Sequence, residues 1–207
     1  SGTVPQELPL AMLLFVTWAA GVAFALNPFG DQGSVLPATL LSAVDGRTFV
    51  RATALASLLV AIPLGLVVTV VTASLSPLST GQTLVLLAST PVVITLSTVV
   101  AVAIGMVVPR FTAVTVTRST KAVIPSITAF VAYTLYLGGT VLAGVMVTDE
   151  LWRTLAATLL TWLLPFGLSV TPETLYWVAG ALLVPLVLAP VAAYRFATHR
   201  FDSYVLG

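Results

Sequence analysis

The chain has 207 residues, 58% of them hydrophobic and 7% charged, with a formal net charge of +1 and no cysteine. Soluble domains carry about 25% charged residues, so this composition excludes a soluble surface. Near-neutral charge gives no case for nucleic acid, and without cysteine there is neither a disulfide nor a thiolate metal site.

The apolar residues gather in long runs, and no charged residue occurs between Ala52 and Pro109. Runs of about 18 or more apolar residues read as transmembrane helices. A chain in lipid must satisfy its own backbone hydrogen bonds, so an all-α bundle is expected. The first span is expected from about Leu10 to Leu26, and nothing basic precedes it, so it does not read as a signal peptide. Asn27-Pro28 ends it, because a residue before proline avoids the helical region.

Residues 27–51 then form a hairpin carrying Asp31, Asp45, Arg47 and Arg51. Ser34 can cap a short helix from Val35 to about Val44, with Pro37 tolerated in its first turn. Leu36, Leu40, Leu41 and Val44 would share one face of it, and Gly46 reads as its stop. The second span is expected over about 54–73, with Pro63 inside. Ser76–Gly81 is an uncharged turn, and the third span covers about 84–108, with Pro91 inside. A polar connection from Pro109 to Lys121 holds Arg110, Arg118 and Lys121, and the fourth span covers about 124–147.

Thr148-Asp149-Glu150 opens a run of a different kind. Leu151 to Leu164 is short of the roughly 20 residues a crossing needs. Leu151, Leu155, Leu159 and Leu163 repeat on one side, and Trp152 and Trp162 suit the headgroup level. An interfacial or re-entrant helix is expected, stopped by Pro165 and Gly167. The adjacent acids Asp149 and Glu150 read as helix-start charges, since neighbours on a helix do not face each other. Thr171-Pro172-Glu173 starts the last span, about 175–193: a cap, a proline at the first helical position and an acid near the N-terminus. Gly139 and Ala143 make a small-x-x-x-small pair suited to helix packing.

Lys and Arg favour cytoplasmic loops. The hairpin, the Pro109–Lys121 connection and the tail hold seven of them, against one in the Thr148–Glu173 connection. Five spans therefore put the N-terminus outside and the hairpin and C-terminus in the cytoplasm. A sixth crossing through Leu151–Val170 would carry the tail arginines outside, against the rule.

No Gly-x-x-x-x-Gly-Lys-Ser/Thr, His-Glu-x-x-His or Gly-x-Ser-x-Gly occurs. The chain is expected to carry no catalytic motif, cofactor or metal. Gly30-Asp-Gln-Gly33 reads as a turn, and the single histidine, His199, as a solvated tail residue. No charge falls near the middle of an expected span, where one costs about 2.5–3.5 kcal/mol and marks ion or proton pathways. That weighs against a carrier with a charged midplane site, though not against one built from broken helices. Pro63, Pro91, Pro185 and Pro190 could mark such breaks, but simple kinks are the favoured reading.

At the hairpin the pattern is more particular. An acid-x-Gly at Asp31 and Gly33 is followed by Leu40, Leu41 and Ser42, a Gly46-Arg47 turn, and Arg51 before the next span. This resembles the permease subunits of type-2 ATP-binding cassette (ABC) exporters, and the string Asn27-Pro28-Phe29-Gly30-Asp31-Gln32-Gly33 is similar to archaeal members. Many relatives have Ser-Pro after the leucine pair, where this chain has Ser42-Ala43. The resemblance implies six spans, of which these five would be the last. It also implies a cytoplasmic coupling helix docking a separate ATPase subunit, a second permease subunit as partner, and an outer re-entrant or interfacial helix pair before the final span. The docking residues would be Leu36, Leu40, Leu41 and Val44 on the apolar face, with Asp31, Asp45, Arg47 and Arg51 at the rim. Composition alone favours a different role for these leucines, resting on the membrane surface. The alternative function is an ion-coupled secondary transporter or channel-like protein that needs no ATPase.

Overall fold

Along the helix Gly46–Leu75, α4, every buried residue from Ala54 to Ala73 is small: Ala54, Ser57, Ala61, Gly65, Thr69 and Ala73. Large residues of the same helix, Leu55, Leu59, Val60, Leu64, Val67, Val70 and Val71, are exposed. That arrangement inverts the pattern of a soluble helix. It is what lipid selects, because tails offer no hydrophobic penalty to Leu and Val, and helices gain by approaching closely over small residues.

The computed structural model describes residues 4–115, 121–164 and 169–204. In chain order the elements are α1 Leu8–Phe24, α2 Pro28–Gln32, a 3-10 turn Gly33–Val35, α3 Leu36–Leu41, α4 Gly46–Leu75, α5 Thr80–Val107, strands β1 Ala113–Thr115 and β2 Lys121–Val123, α6 Ile127–Thr148, α7 Glu150–Leu163 and α8 Pro172–Asp202. Among the described residues four helices, α4, α5, α6 and α8, are long and apolar enough to cross a membrane. The count becomes five if α1 is joined to Pro28–Leu41, from which it is bent by 47°. With 17 residues, α1 spans about 26 Å, just under a typical hydrocarbon core. This is the make-up of an all-α multi-pass membrane protein.

The helices outrun the apolar runs that announced them. Asp45 accepts the backbone N–H of Thr48 at 2.8 Å and caps α4, which therefore begins at Gly46, eight residues before the expected 54. Gly46, read as a stop, is the first helical residue instead. α5 begins at Thr80 on a capping box, in which Ser79 Oγ accepts from the Gln82 N–H and the Gln82 side chain accepts from the Ser79 N–H. α8 continues past 193 to Asp202. Helix runs unbroken through Pro63 in α4, Pro91 in α5, and Pro185 and Pro190 in α8, which agrees with the favoured reading of prolines inside continuous helices and not with broken ones. The connection expected as a polar loop holds an antiparallel ribbon, with Ala113 opposite Val123 and Thr115 opposite Lys121. Val114, Thr115 and Val123 are β-branched, which suits a pleated ladder. Arg118, Pro165 and Gly167 lie outside the described residues.

Two compact units divide the chain: Ser1–Tyr133 with Pro190–Gly207, and Thr134–Ala189. In the first, α1, α4 and α5 pack on one another around Leu13, Ala20, Ala61 and Ile94, with Leu58, Ile62 and Leu86 against them. Ala61→Leu should therefore cost about 1–3 kcal/mol by overpacking. Leu59→Ala, on the open face, should stay within about 0.5 kcal/mol. Unfolding of the detergent-solubilised variants measures both. Polar side chains here bond to one another across helices. The Tyr133 hydroxyl lies 2.6 Å from Ser97 Oγ and donates to the Thr17 carbonyl at 3.1 Å, and Thr69 meets Thr90 at 3.3 Å. Gly21 leaves room for the Tyr133 ring, which a Cβ would strike.

In the second unit Ala143, Met146 and Ala179 form the core. Ala143 of the small-residue pair is buried there, whereas a Cβ on Gly139 would meet nothing. Asp149 caps α7 by accepting from the Trp152 N–H, the helix-start role expected of it. Arg153 turns back to donate to the Met146 and Val147 carbonyls at the end of α6, and lies 5.2 Å over the Tyr176 ring. The apolar side of α7, with Leu151, Trp152, Leu155, Leu159, Trp162 and Leu163, is exposed. Thr171 caps α8 by accepting from the Thr174 N–H, as its Thr-Pro-Glu start predicts.

Candidate docking hairpin

Six consecutive residues, Ala25 to Gly30, are buried as the chain leaves α1. Asn27 is the polar one among them. Its Nδ2 donates to the Arg110 carbonyl at 2.9 Å and its Oδ1 accepts the Arg110 N–H at 3.0 Å, so one amide satisfies both backbone groups of a residue just past α5. Glycines permit the approach. A Cβ on Gly30 would run into the Arg110 carbonyl and the Asn27 amide, and one on Gly105 into the Leu26 carbonyl and the Pro28 ring.

Phe29, with no exposed surface, is the second anchor. Its ring centroid lies 5.9 Å from Phe49 of α4, 6.2 Å from Phe201 of α8 and 4.4 Å from Tyr204. Phe49 and Phe201 stack at 4.3 Å. Offset ring contacts of this kind add about 0.5–1.5 kcal/mol each beyond burial. The far end of the hairpin is tied to the same place: the Gly46 N–H donates to Asp202 Oδ1 at 2.7 Å, and the Thr198 carbonyl occupies the space a Cβ on Gly46 would need. The hairpin is thus fastened to α4, α5 and the end of α8.

Between these anchors the chain projects. Gly33 turns α2 into the 3-10 segment at φ +50°, a conformation that favours glycine; a Cβ there would meet no neighbour, so the requirement is conformational. The expected helix Val35–Val44 is shorter than predicted. Ser34 falls within the 3-10 turn and makes no cap, and α3 ends at Leu41 because Ser42 turns extended. Ser42 Oγ closes the end, donating to the Thr39 carbonyl at 2.6 Å and accepting the Val44 N–H at 3.4 Å. The four-residue apolar face is therefore not formed. Leu36 is 1% exposed and belongs to the anchor, Leu40 is half-buried, and Val44 lies outside the helix. Leu41, 87% exposed, and Val35 make the open apolar tip.

The rim charges part company. Asp31 sits in α2, where partial enclosure of its carboxyl pushes its pKa above the ordinary value although the residue surface is open. Hydrogen bonds from Thr48 hold the Asp45 carboxyl below its ordinary value, and Asp45 is occupied as the α4 cap. Arg47 is open to solvent. Arg51 is turned along α4 toward α8, where its Nε donates to the Tyr194 hydroxyl at 3.0 Å.

Among the described residues no cluster of three or more His, Asp or Glu could hold a metal ion. The anchoring residues Asn27, Phe29, Phe49, Phe201 and Asp202 were not singled out from the sequence as a site. Asn27-Pro28 reads as a helix terminator, and its partner Arg110 is 83 residues away. No protein-family model matches the chain, nor does any curated protein or solved structure. The class defined by fold and composition is a multi-pass helical membrane protein.

Proposed function

We propose that the chain is the permease subunit of a type-2 ABC exporter. It would move its substrate with energy from ATP hydrolysed by a separate ATPase subunit, and work paired with a second permease subunit. The observation that carries this reading is mechanical. The motif-bearing hairpin ends in an open apolar tip at Leu41, and its base is fastened to α4, α5 and α8 through Asn27, Phe29 and Gly46. A partner gripping the tip would tilt helices rather than flex a loop.

The basic residues support the matching orientation, with hairpin and C-terminus in the cytoplasm. In this reading α7 lies at the outer face, its leucines and tryptophans in the headgroup region. Affinity purification of the unmodified chain from native membranes tests the proposal. The expected co-purifying chain carries a P-loop. Transport by the purified chain alone, driven by an ion gradient, would support the rival ion-coupled carrier instead.

A further inference from the structure

Arg51 lies in the second turn of α4, at the mouth of a groove of about 300 Å³ lined by Val50, Ala54, Leu55, Leu58, Val99 and Tyr194. Apart from Arg51 and the Tyr194 hydroxyl the lining is aliphatic. The groove runs from the charged end of α4 toward the apolar middle of the helix, between α4, α5 and α8.

The guanidinium is held in place by its Nε, which donates to Tyr194 Oη at 3.0 Å, and its carbon lies 6.0 Å from the centre of the Tyr194 ring. That contact engages Nε alone, and Arg51 as a residue is exposed. The planar pair of N–H donors of a guanidinium matches two oxygens of a phosphate.

The surrounding charge is mainly basic, although Asp45 is near enough to interact with both Arg47 and Arg51. Arg47 stands one helical turn before Arg51, and Arg195 follows Tyr194. α4 and α5 contain no acid, and α8 none between Thr174 and Phe201. The nearest acids at this end are engaged: Asp45 caps α4, and Asp202 accepts the Gly46 N–H.

We infer that this is a binding site for an anionic phospholipid. The phosphate sits on the Arg51 guanidinium and one acyl chain lies in the groove over Ala54, Leu55 and Leu58. Entering the groove exchanges lipid contacts for protein contacts and gives a tail little net gain. Selection therefore comes from the headgroup, as in basic pockets between membrane helices generally. The site does not depend on the docking role of the hairpin, and it assigns Arg51 to lipid rather than to a soluble partner.

The test uses the full chain in detergent, offered equimolar phosphatidylglycerol and phosphatidylcholine, with bound lipid read by native mass spectrometry. The parent chain is expected to retain phosphatidylglycerol in preference. Arg51→Gln should lower that retention about tenfold, since the bidentate charge-assisted contact is the selective one. Leu55→Trp, at an exposed position of the lining, narrows the groove and should lower it comparably with Arg51 intact, and Arg47→Gln should leave it near the parent level. Equal retention by Arg51→Gln and the parent would overturn the site. So would an equal loss in Arg47→Gln, which would mean diffuse surface charge. A change of oligomeric state in Leu55→Trp with lipid retention unchanged would assign the groove to a second copy and overturn it too.

Discussion

If the hairpin docks an ATPase subunit as proposed, Leu41→Asp is expected to abolish that association while leaving the membrane helices folded and inserted. Leu41 is 87% exposed, so an aspartate there meets water and should change stability by no more than about 0.5 kcal/mol. At a docking surface the same charge would enter an apolar cleft. Loss of a central apolar anchor costs about 2 kcal/mol or more of binding, roughly thirtyfold in affinity, before the unpaired charge is counted. Adding Leu40→Asp, at a half-buried position, should deepen the loss. Leu36→Asp should behave differently. Leu36 is 1% exposed, and a charge there lacks a partner, so the hairpin itself should come apart. Co-purification beside a thermal melt separates the cases: Leu41→Asp loses the partner and keeps the melt, whereas Leu36→Asp loses both. Undiminished co-purification of the Leu40→Asp, Leu41→Asp double variant would remove the docking role.

Asn27→Ala is expected to destabilise the first unit by about 2–6 kcal/mol, because truncation strands the Arg110 N–H and carbonyl, two groups at about 1–3 kcal/mol each. Asn27→Asp keeps an acceptor for the N–H but sets an oxygen against the Arg110 carbonyl, so it should rescue little. Gly30→Ala should be at least as damaging, since the added methyl meets a backbone oxygen that cannot swing aside. Chemical unfolding of the detergent-solubilised variants measures these effects. A loss within about 0.5 kcal/mol for Asn27→Ala would mean that water replaces the amide and that the hairpin base is not rigid.

The four long apolar helices were legible because hydropathy is read from local composition. The ends were not. Arg47 to Arg51 looks like a loop on a hydropathy scale, yet Asp45 caps it and it continues α4. In the same way Arg195 to Asp202 extends α8 into what looked like a polar tail. Charged turns of a helix are invisible to a scale that scores only apolarity. The hairpin was legible as a place and less so as a shape. A helical wheel put Leu36, Leu40, Leu41 and Val44 together, but Ser42 ends the helix first and burial takes Leu36 away from the tip. The clamp of Asn27 on Arg110 and the cluster of Phe29, Phe49, Phe201 and Tyr204 join residues far apart in the chain. A single sequence carries no sign of such pairing beyond the residue types themselves.

The small-residue face of α4 stands between these cases. Ala54, Ser57, Ala61, Gly65, Thr69 and Ala73 recur every three or four positions, a period visible in the sequence. Reading that period as the buried face requires inverting the rule used for soluble helices. The pair that drew notice, Gly139 and Ala143, buries only Ala143 within the chain.

The claim on which the account rests is that the hairpin faces the cytosol, where an ATPase can reach it. The chain has no cysteine, so Leu41→Cys gives a single label site without background. A membrane-impermeant maleimide should label it in inverted vesicles and not in intact cells. Labelling from outside intact cells would place the tip beyond the reach of any cytosolic ATPase and contradict the account.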